Sequence, residues 1–130
     1  MAKTKTIKVL IIEDNPIDAK VLQKTLEHEQ SISFSFTFEE QYLNGLSRLS
    51  IESYDLLFLD LIMSDSIGLD MIDRLKMING KVPIIVYTSF DDPLLEKEAL
   101  VKGAKGYLVK GKATHEEILN LVKQSLGSIS

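Results

Sequence analysis

Five times along this chain a short apolar run gives way to a stretch whose apolar residues recur at helical spacing. The runs fall at residues 7–12, 33–38, 56–59, 83–87 and 106–109, and most are rich in β-branched or aromatic residues, as strands are. Strands that alternate with helices of this length imply a parallel sheet covered on both faces. The third run, Leu56-Leu57-Phe58-Leu59, has no polar residue, which suits a strand buried on both sides. The second alternates strictly, Ser33-Phe34-Ser35-Phe36-Thr37-Phe38, which suits a strand near a sheet edge with one face less buried.

The intervening segments carry helix signals. Asn15-Pro16 is a cap followed by a proline suited to a first turn, and Ile17, Val21, Leu22 and Leu26 continue it. Tyr42, Leu43, Leu46 and Leu49 mark a second helix. Leu69, Ile72, Leu75 and Ile78 mark a third, stopped by Asn79-Gly80. Asp91-Asp92-Pro93 opens a fourth, closed by Gly103. Thr114-His115-Glu116-Glu117 is a capping box for the last, which Ile118, Leu119, Val122 and Leu126 continue. Asp65-Ser66-Ile67-Gly68 reads as a turn or loop.

A length of 130 residues fits one domain, with its core over about 7–126. The net charge of −4 argues against a nonspecific grip on nucleic acid. With no cysteine there are no disulfides or thiolate metal sites. No apolar run approaches the ~20 residues of a membrane helix. The basic start, Met1 to Thr6, leads into too few apolar positions for a signal peptide. A soluble cytoplasmic protein is expected.

In a parallel sheet all strand ends lie on one side. That edge gathers Glu13 and Asp14 from the first strand, Asp60 from the third, Thr88 and Ser89 from the fourth, and Lys110 from the fifth. Singly, these residues have ordinary readings: helix-start acids, a turn aspartate, a cap threonine, a solvated lysine. Together, three carboxylates this close repel one another unless a cation joins them. A hard divalent ion such as Mg²⁺ suits carboxylates and water. The set suits phosphoryl transfer, which needs an in-line nucleophile and positive charge on the equatorial oxygens. Asp60 can be that nucleophile, Mg²⁺ and Lys110 can neutralise charge, and Thr88 can donate a hydrogen bond.

Glu13-Asp14, Asp60, Thr88 and Tyr107-Leu108-Val109-Lys110, in that order at successive strand ends, resemble the receiver domain of two-component response regulators over about residues 7–126. The resemblance implies a flavodoxin-like doubly wound α/β fold: a five-stranded parallel sheet of order 2-1-3-4-5 with five helices. It implies a stand-alone response regulator, a signalling module and not a turnover enzyme. Asp60 would be phosphorylated by a sensor histidine kinase or a histidine phosphotransfer protein. Asp14, Asp60 and the backbone carbonyl of Ile62 would hold Mg²⁺, with Glu13 acting through a water. Thr88 and Lys110 would contact the phosphoryl group. Thr88 and the aromatic Tyr107 would form the switch that reshapes the surface of helix 4, strand 5 and helix 5 for a protein partner.

Two positions depart from the family. Ser64 and Gly111 stand where it often has proline. In the family, the residues two after the acceptor and two after the threonine influence self-dephosphorylation. Here both are apolar, Ile62 and Phe90, so slow hydrolysis is expected. A flavodoxin-type cofactor site would need a neutral phosphate loop where Glu13-Asp14 stand. An aspartate-nucleophile phosphatase would need a second acid where Ile62 stands. The alternative that keeps the fold is a receiver-like docking module acting independently of phosphorylation. His28 and His115 read as surface residues.

Overall fold

Ile7, Val9, Ile11, Leu56, Phe58, Ile85 and Tyr87 face one side of the sheet, while Leu10, Ile12, Leu57, Leu59, Ile84 and Val86 face the other. This period-2 division creates two cores. It belongs to a computed structural model that describes residues 5–127, so Met1 to Thr4 of the basic start lie outside the described residues. The elements are β1 (Thr6–Ile12), α1 (Pro16–Glu27), β2 (Ser33–Glu39), α2 (Tyr42–Ile51), β3 (Leu56–Leu59), β4 (Ile62–Met63), β5 (Ser66–Ile67), α3 (Asp70–Ile78), β6 (Ile84–Thr88), α4 (Pro93–Val101), β7 (Gly106–Val109) and α5 (His115–Leu126). β1, β2, β3, β6 and β7 form one parallel sheet in the order β2-β1-β3-β6-β7. Counting only these five, it is the expected order 2-1-3-4-5.

The register pairs Ile12 with Leu59 and Val86 with Tyr107, so the strand ends line up as a single rim. On one face Ala19, Leu22 and Leu26 of α1 and Ile118 and Val122 of α5 close the core. On the other, Tyr42 and Leu49 of α2, Met71, Ile72 and Leu75 of α3, and Ala99 of α4 do so. The buried Tyr42 hydroxyl donates to the Met71 carbonyl at 2.9 Å, tying α2 to α3. An unpaired hydroxyl there would cost about 1–3 kcal/mol.

The structure corrects the helix faces. Ile17, Val21 and Leu43 have helical spacing yet are 72%, 39% and 56% exposed. α1 has two apolar stripes, and the one containing Ala19 and Leu22 is buried. A second correction concerns the loop after Asp60. Ile62–Met63 and Ser66–Ile67 pair antiparallel as a small hairpin, so Ser66 and Ile67 are not simply loop. Asp92 caps α4 as expected, accepting from the Leu94 and Leu95 N–H groups, but Asp91 instead pairs with Lys112 across the rim. The capping box of Thr114 and Glu117 is present.

Candidate phosphoacceptor site

Each rim residue is placed by its strand. The Glu13 N–H donates to the Glu39 carbonyl at 3.0 Å, and the Asp60 N–H donates to the Ile12 carbonyl at 3.1 Å. These bonds continue the ladder one residue past each strand and turn both acids into the rim. Beyond Glu13 the chain enters α1 through Asn15, whose Oδ1 accepts from the Ile17 and Asp18 N–H groups. Glu13 Oε2 accepts from the Asn15 N–H at 3.1 Å, so the acid and the cap brace each other. The Lys110 N–H donates to the Thr88 carbonyl at 2.8 Å, which sets β7's exit beside β6's.

The side chains then converge. Carboxylate oxygens of Glu13, Asp14 and Asp60 lie within 4.8 Å of one another. Glu13 and Asp60 are 3% and 5% exposed, whereas Asp14 is more open to solvent. Lys110 Nζ lies 2.8 Å from Glu13 Oε1, 2.8 Å from Asp18 Oδ2 and 2.8 Å from Asp60 Oδ2. An ammonium has three N–H donors, and this one meets three carboxylates. It also sits over the Tyr87 ring, 5.6 Å from its centroid, within cation–π range. The other Asp60 oxygen, Oδ1, accepts from the Ile62 N–H at 3.0 Å.

The charges leave their mark on affinity for protons. Burial pushes the Glu13 carboxyl up to about 7, although the Lys110 contact pulls it down. Burial would lower the Lys110 ammonium, but the contacts with Asp18, Asp60 and Glu13 together outweigh it and hold it above its ordinary value. Burying an ammonium costs several kcal/mol, so a set of anions is needed to keep it charged.

Thr88 is wholly buried at the end of β6, and its hydroxyl has no hydrogen-bond partner among the described residues. Such a group is free to donate to an arriving acceptor. Tyr107 is half-buried, and its hydroxyl donates to the Phe90 carbonyl at 2.8 Å. Burial pushes that hydroxyl up to about 12. Gly111 takes φ +83, a conformation closed to proline, and no cis peptide occurs among the described residues. A glycine therefore carries the chain away from Lys110 where the family usually has proline.

The expected residues Glu13, Asp14, Asp60, Ile62 and Lys110 are thus brought together, with Thr88 one strand over. Two participants were missed. Asp18 stands in the first turn of α1, three residues after the cap, where an acid reads as a helix-start charge, so no local pattern singles it out as a partner of Lys110. Asp65 accepts from the Tyr42 and Leu43 N–H groups at 2.9 and 3.0 Å, capping α2 from the hairpin after Asp60. No local pattern announces that partnership, because Gln41, at α2's own cap position, makes no side-chain cap bond.

The donor set fits a hard divalent cation. Three hard carboxylates converge, one of them open to water, and with Asp18 they outnumber the one ammonium among them.

Residues 9–123 match the family model described as the response regulator receiver domain. The chain is 30% identical over 118 residues to the transcriptional regulatory protein YkoG of Bacillus subtilis, covering 91% of this chain and 50% of that protein. It spans about half the length of the curated relatives it matches. Among solved structures, a CheY-like receiver domain protein from Methanospirillum hungatei superposes with a TM-score of 0.82 at 19% identity, covering 94% of each chain. A response regulator from Burkholderia pseudomallei, solved with a phosphorylated aspartic acid, a calcium ion and citrate, superposes with a TM-score of 0.78 at 24% identity, covering 92% of this chain and 68% of that one. Among the described residues no helix is long and apolar enough to cross a membrane.

Proposed function

The chain belongs to the response regulator receiver domain family, and from that premise we propose that it is a phosphorylation switch with Asp60 as acceptor. A carboxylate oxygen of Asp60 bonds to phosphorus as the bond from phosphorus to a histidine nitrogen of the donor breaks. The departing imidazole takes up a proton. The donor is a sensor histidine kinase or a histidine phosphotransfer protein acting in the cytoplasm. Lys110 holds one phosphoryl oxygen and Thr88 donates to another. Asp14, Asp60 and the Ile62 carbonyl would hold Mg²⁺, with Glu13 acting through a water. When bound, the ion supplies positive charge against the transferring group.

The observation that carries this reading is the 2.8 Å contact between Lys110 Nζ and Asp60 Oδ2 inside the acid cluster. The Burkholderia relative's phosphorylated aspartic acid supports the same chemistry. The buried, unpartnered Thr88 hydroxyl gives the signal a route outward. Once drawn toward the phosphoryl group, Thr88 leaves space into which Tyr107 turns, and the α4–β7–α5 surface changes for a protein partner. Leu94, Leu100 and Val101 of α4 already lie exposed there.

Incubation with a small acyl-phosphate donor and Mg²⁺ tests the reading by intact mass. The wild type gains one phosphoryl group and Asp60→Asn gains none. Beryllofluoride with Mg²⁺ should shift the Thr88 and Tyr107 amide resonances. A wild type that gains no mass, with no shift at those residues, would favour the phosphorylation-independent docking module. The glycine exit at Gly111 is the observation on that side.

A further inference from the structure

The two edges of the sheet are treated differently by the sequence. β7 is a four-residue strand flanked by Lys105 and Lys110, a short and charged edge of the kind that resists pairing. β2, at the other edge, runs seven residues with no lysine and no proline, and its only charge is the terminal Glu39. Its alternation of Ser33, Ser35 and Thr37 with Phe34, Phe36 and Phe38 is used by nothing in the phosphoacceptor site.

Ladder geometry says which residues of β2 face outward. The Glu39 carbonyl accepts from Glu13, so it points to β1. By alternation Ser33, Ser35 and Thr37 also turn their backbone groups toward β1. Phe34, Phe36 and Phe38 therefore turn their N–H and C=O groups to the open edge. Their rings form one stripe along the strand, with centroids 5.9 and 6.1 Å apart, and Phe38 is 42% exposed.

We propose that the open edge of β2 binds β2 of a second copy, antiparallel about a two-fold axis at Phe36. The strand is its own complement in that register. Phe36 lies opposite Phe36 of the second copy, and Phe34 lies opposite Phe38. Each of these is an outward-facing residue, so each forms a hydrogen-bonded pair. The phenylalanines of the two copies join into one cross-strand ladder. Ser35 meets Thr37 and Ser33 meets Glu39, so no like charges stand opposite one another. This self-complementarity favours a second copy over a foreign peptide. A two-fold axis there makes one continuous sheet and leaves both α4–β7–α5 surfaces free on its outer ends.

The chain has no cysteine, so single thiols report the register. Phe36→Cys should cross-link to itself with a short bifunctional maleimide. Phe34→Cys and Phe38→Cys should each fail alone and cross-link when mixed. Far-UV circular dichroism confirms that each variant is folded. Independently, sedimentation of the wild-type chain should show its molar mass doubling with rising concentration. Phe38→Lys, which places a charge on the exposed end of the stripe, should move that transition at least tenfold higher in concentration. A wild type monomeric at every concentration overturns the proposal and leaves the edge to a foreign strand or to solvent. Self-linking at position 34 or 38 overturns the register.

Discussion

Lys110 and Asp18 are 92 residues apart in the chain and 2.8 Å apart across the rim of the sheet. Of the three carboxylates on the ammonium, Glu13 and Asp60 also belong to the acid cluster that would take the metal and the phosphoryl group. Asp18 does not, so it can keep its contact while the others change. As a positioning residue, it would hold the lysine's aim from α1. Asp18→Ala should slow phosphoryl acceptance about tenfold, equivalent to about 1.4 kcal/mol of barrier. It should also lower the titration midpoint of the Lys110 amine, followed by side-chain NMR. An unmoved amine would reduce Asp18 to a helix-start acid. Lys110→Ala should cost about a hundredfold or more, as loss of a fixed positive donor does.

Asp65 caps α2 from outside it. Hydrogen bonds from the Tyr42 and Leu43 N–H groups hold its carboxyl below the ordinary aspartate range. Asp65→Ala should destabilise the fold by about 1 kcal/mol, within the usual range for a lost cap. Urea unfolding measures this. Faster amide exchange at Tyr42 and Leu43 would locate it, and unchanged exchange there would refute the cap.

Glu13 gives the metal-free protein a pH dependence. Its carboxyl moves from 4.5 to about 7 on folding, chiefly through burial. Between those values the folded state binds a proton that the unfolded state has released. Stability therefore falls as pH rises through that window and levels off above it. Glu13→Gln should remove the decline, so the difference in urea midpoint between variant and wild type should grow with pH. A difference constant across the window would sink this account. Divalent cation should blunt the decline by stabilising the charged carboxylate.

Ile62 and Phe90 offer no polar group to orient an attacking water, so an acyl phosphate on Asp60 should be long-lived. Replacing Ile62 by Glu should shorten its lifetime by about tenfold or more, again about 1.4 kcal/mol of barrier. Intact mass over time follows the decay. A wild-type phosphoryl group lost faster than in the variant would contradict the expectation.

Gly111 should resist substitution for a conformational reason. At φ +83 with open space around it, a side chain meets no neighbour but strains its own backbone. Gly111→Ala should cost about 1–2 kcal/mol. Thermal unfolding measures it, and a neutral result would mean that the loop relaxes to negative φ.

What the residues alone decide here is local and periodic. Apolar runs of strand length alternating with helical periods force a parallel sheet, and a parallel sheet sends all its strand ends to one rim. That was enough to collect Glu13, Asp14, Asp60, Thr88 and Lys110 in advance, because each stands within two residues of the end of an apolar run. The capping box at Thr114 was legible for the same reason: it acts within a few residues of itself.

What only the tertiary structure decided is which way each element is turned and what reaches it from afar. α1 carries two apolar stripes, and packing against the sheet and α5 buried Ala19, Leu22 and Leu26 while leaving Ile17 and Val21 in solvent. The same rotation carried Asp18 to Lys110. Asp65 found backbone donors more than twenty positions earlier, and the hairpin around it formed where only a turn was expected. Periodicity fixes the spacing along an element but not its rotation about its own axis, and that rotation is set by partners distant in the chain.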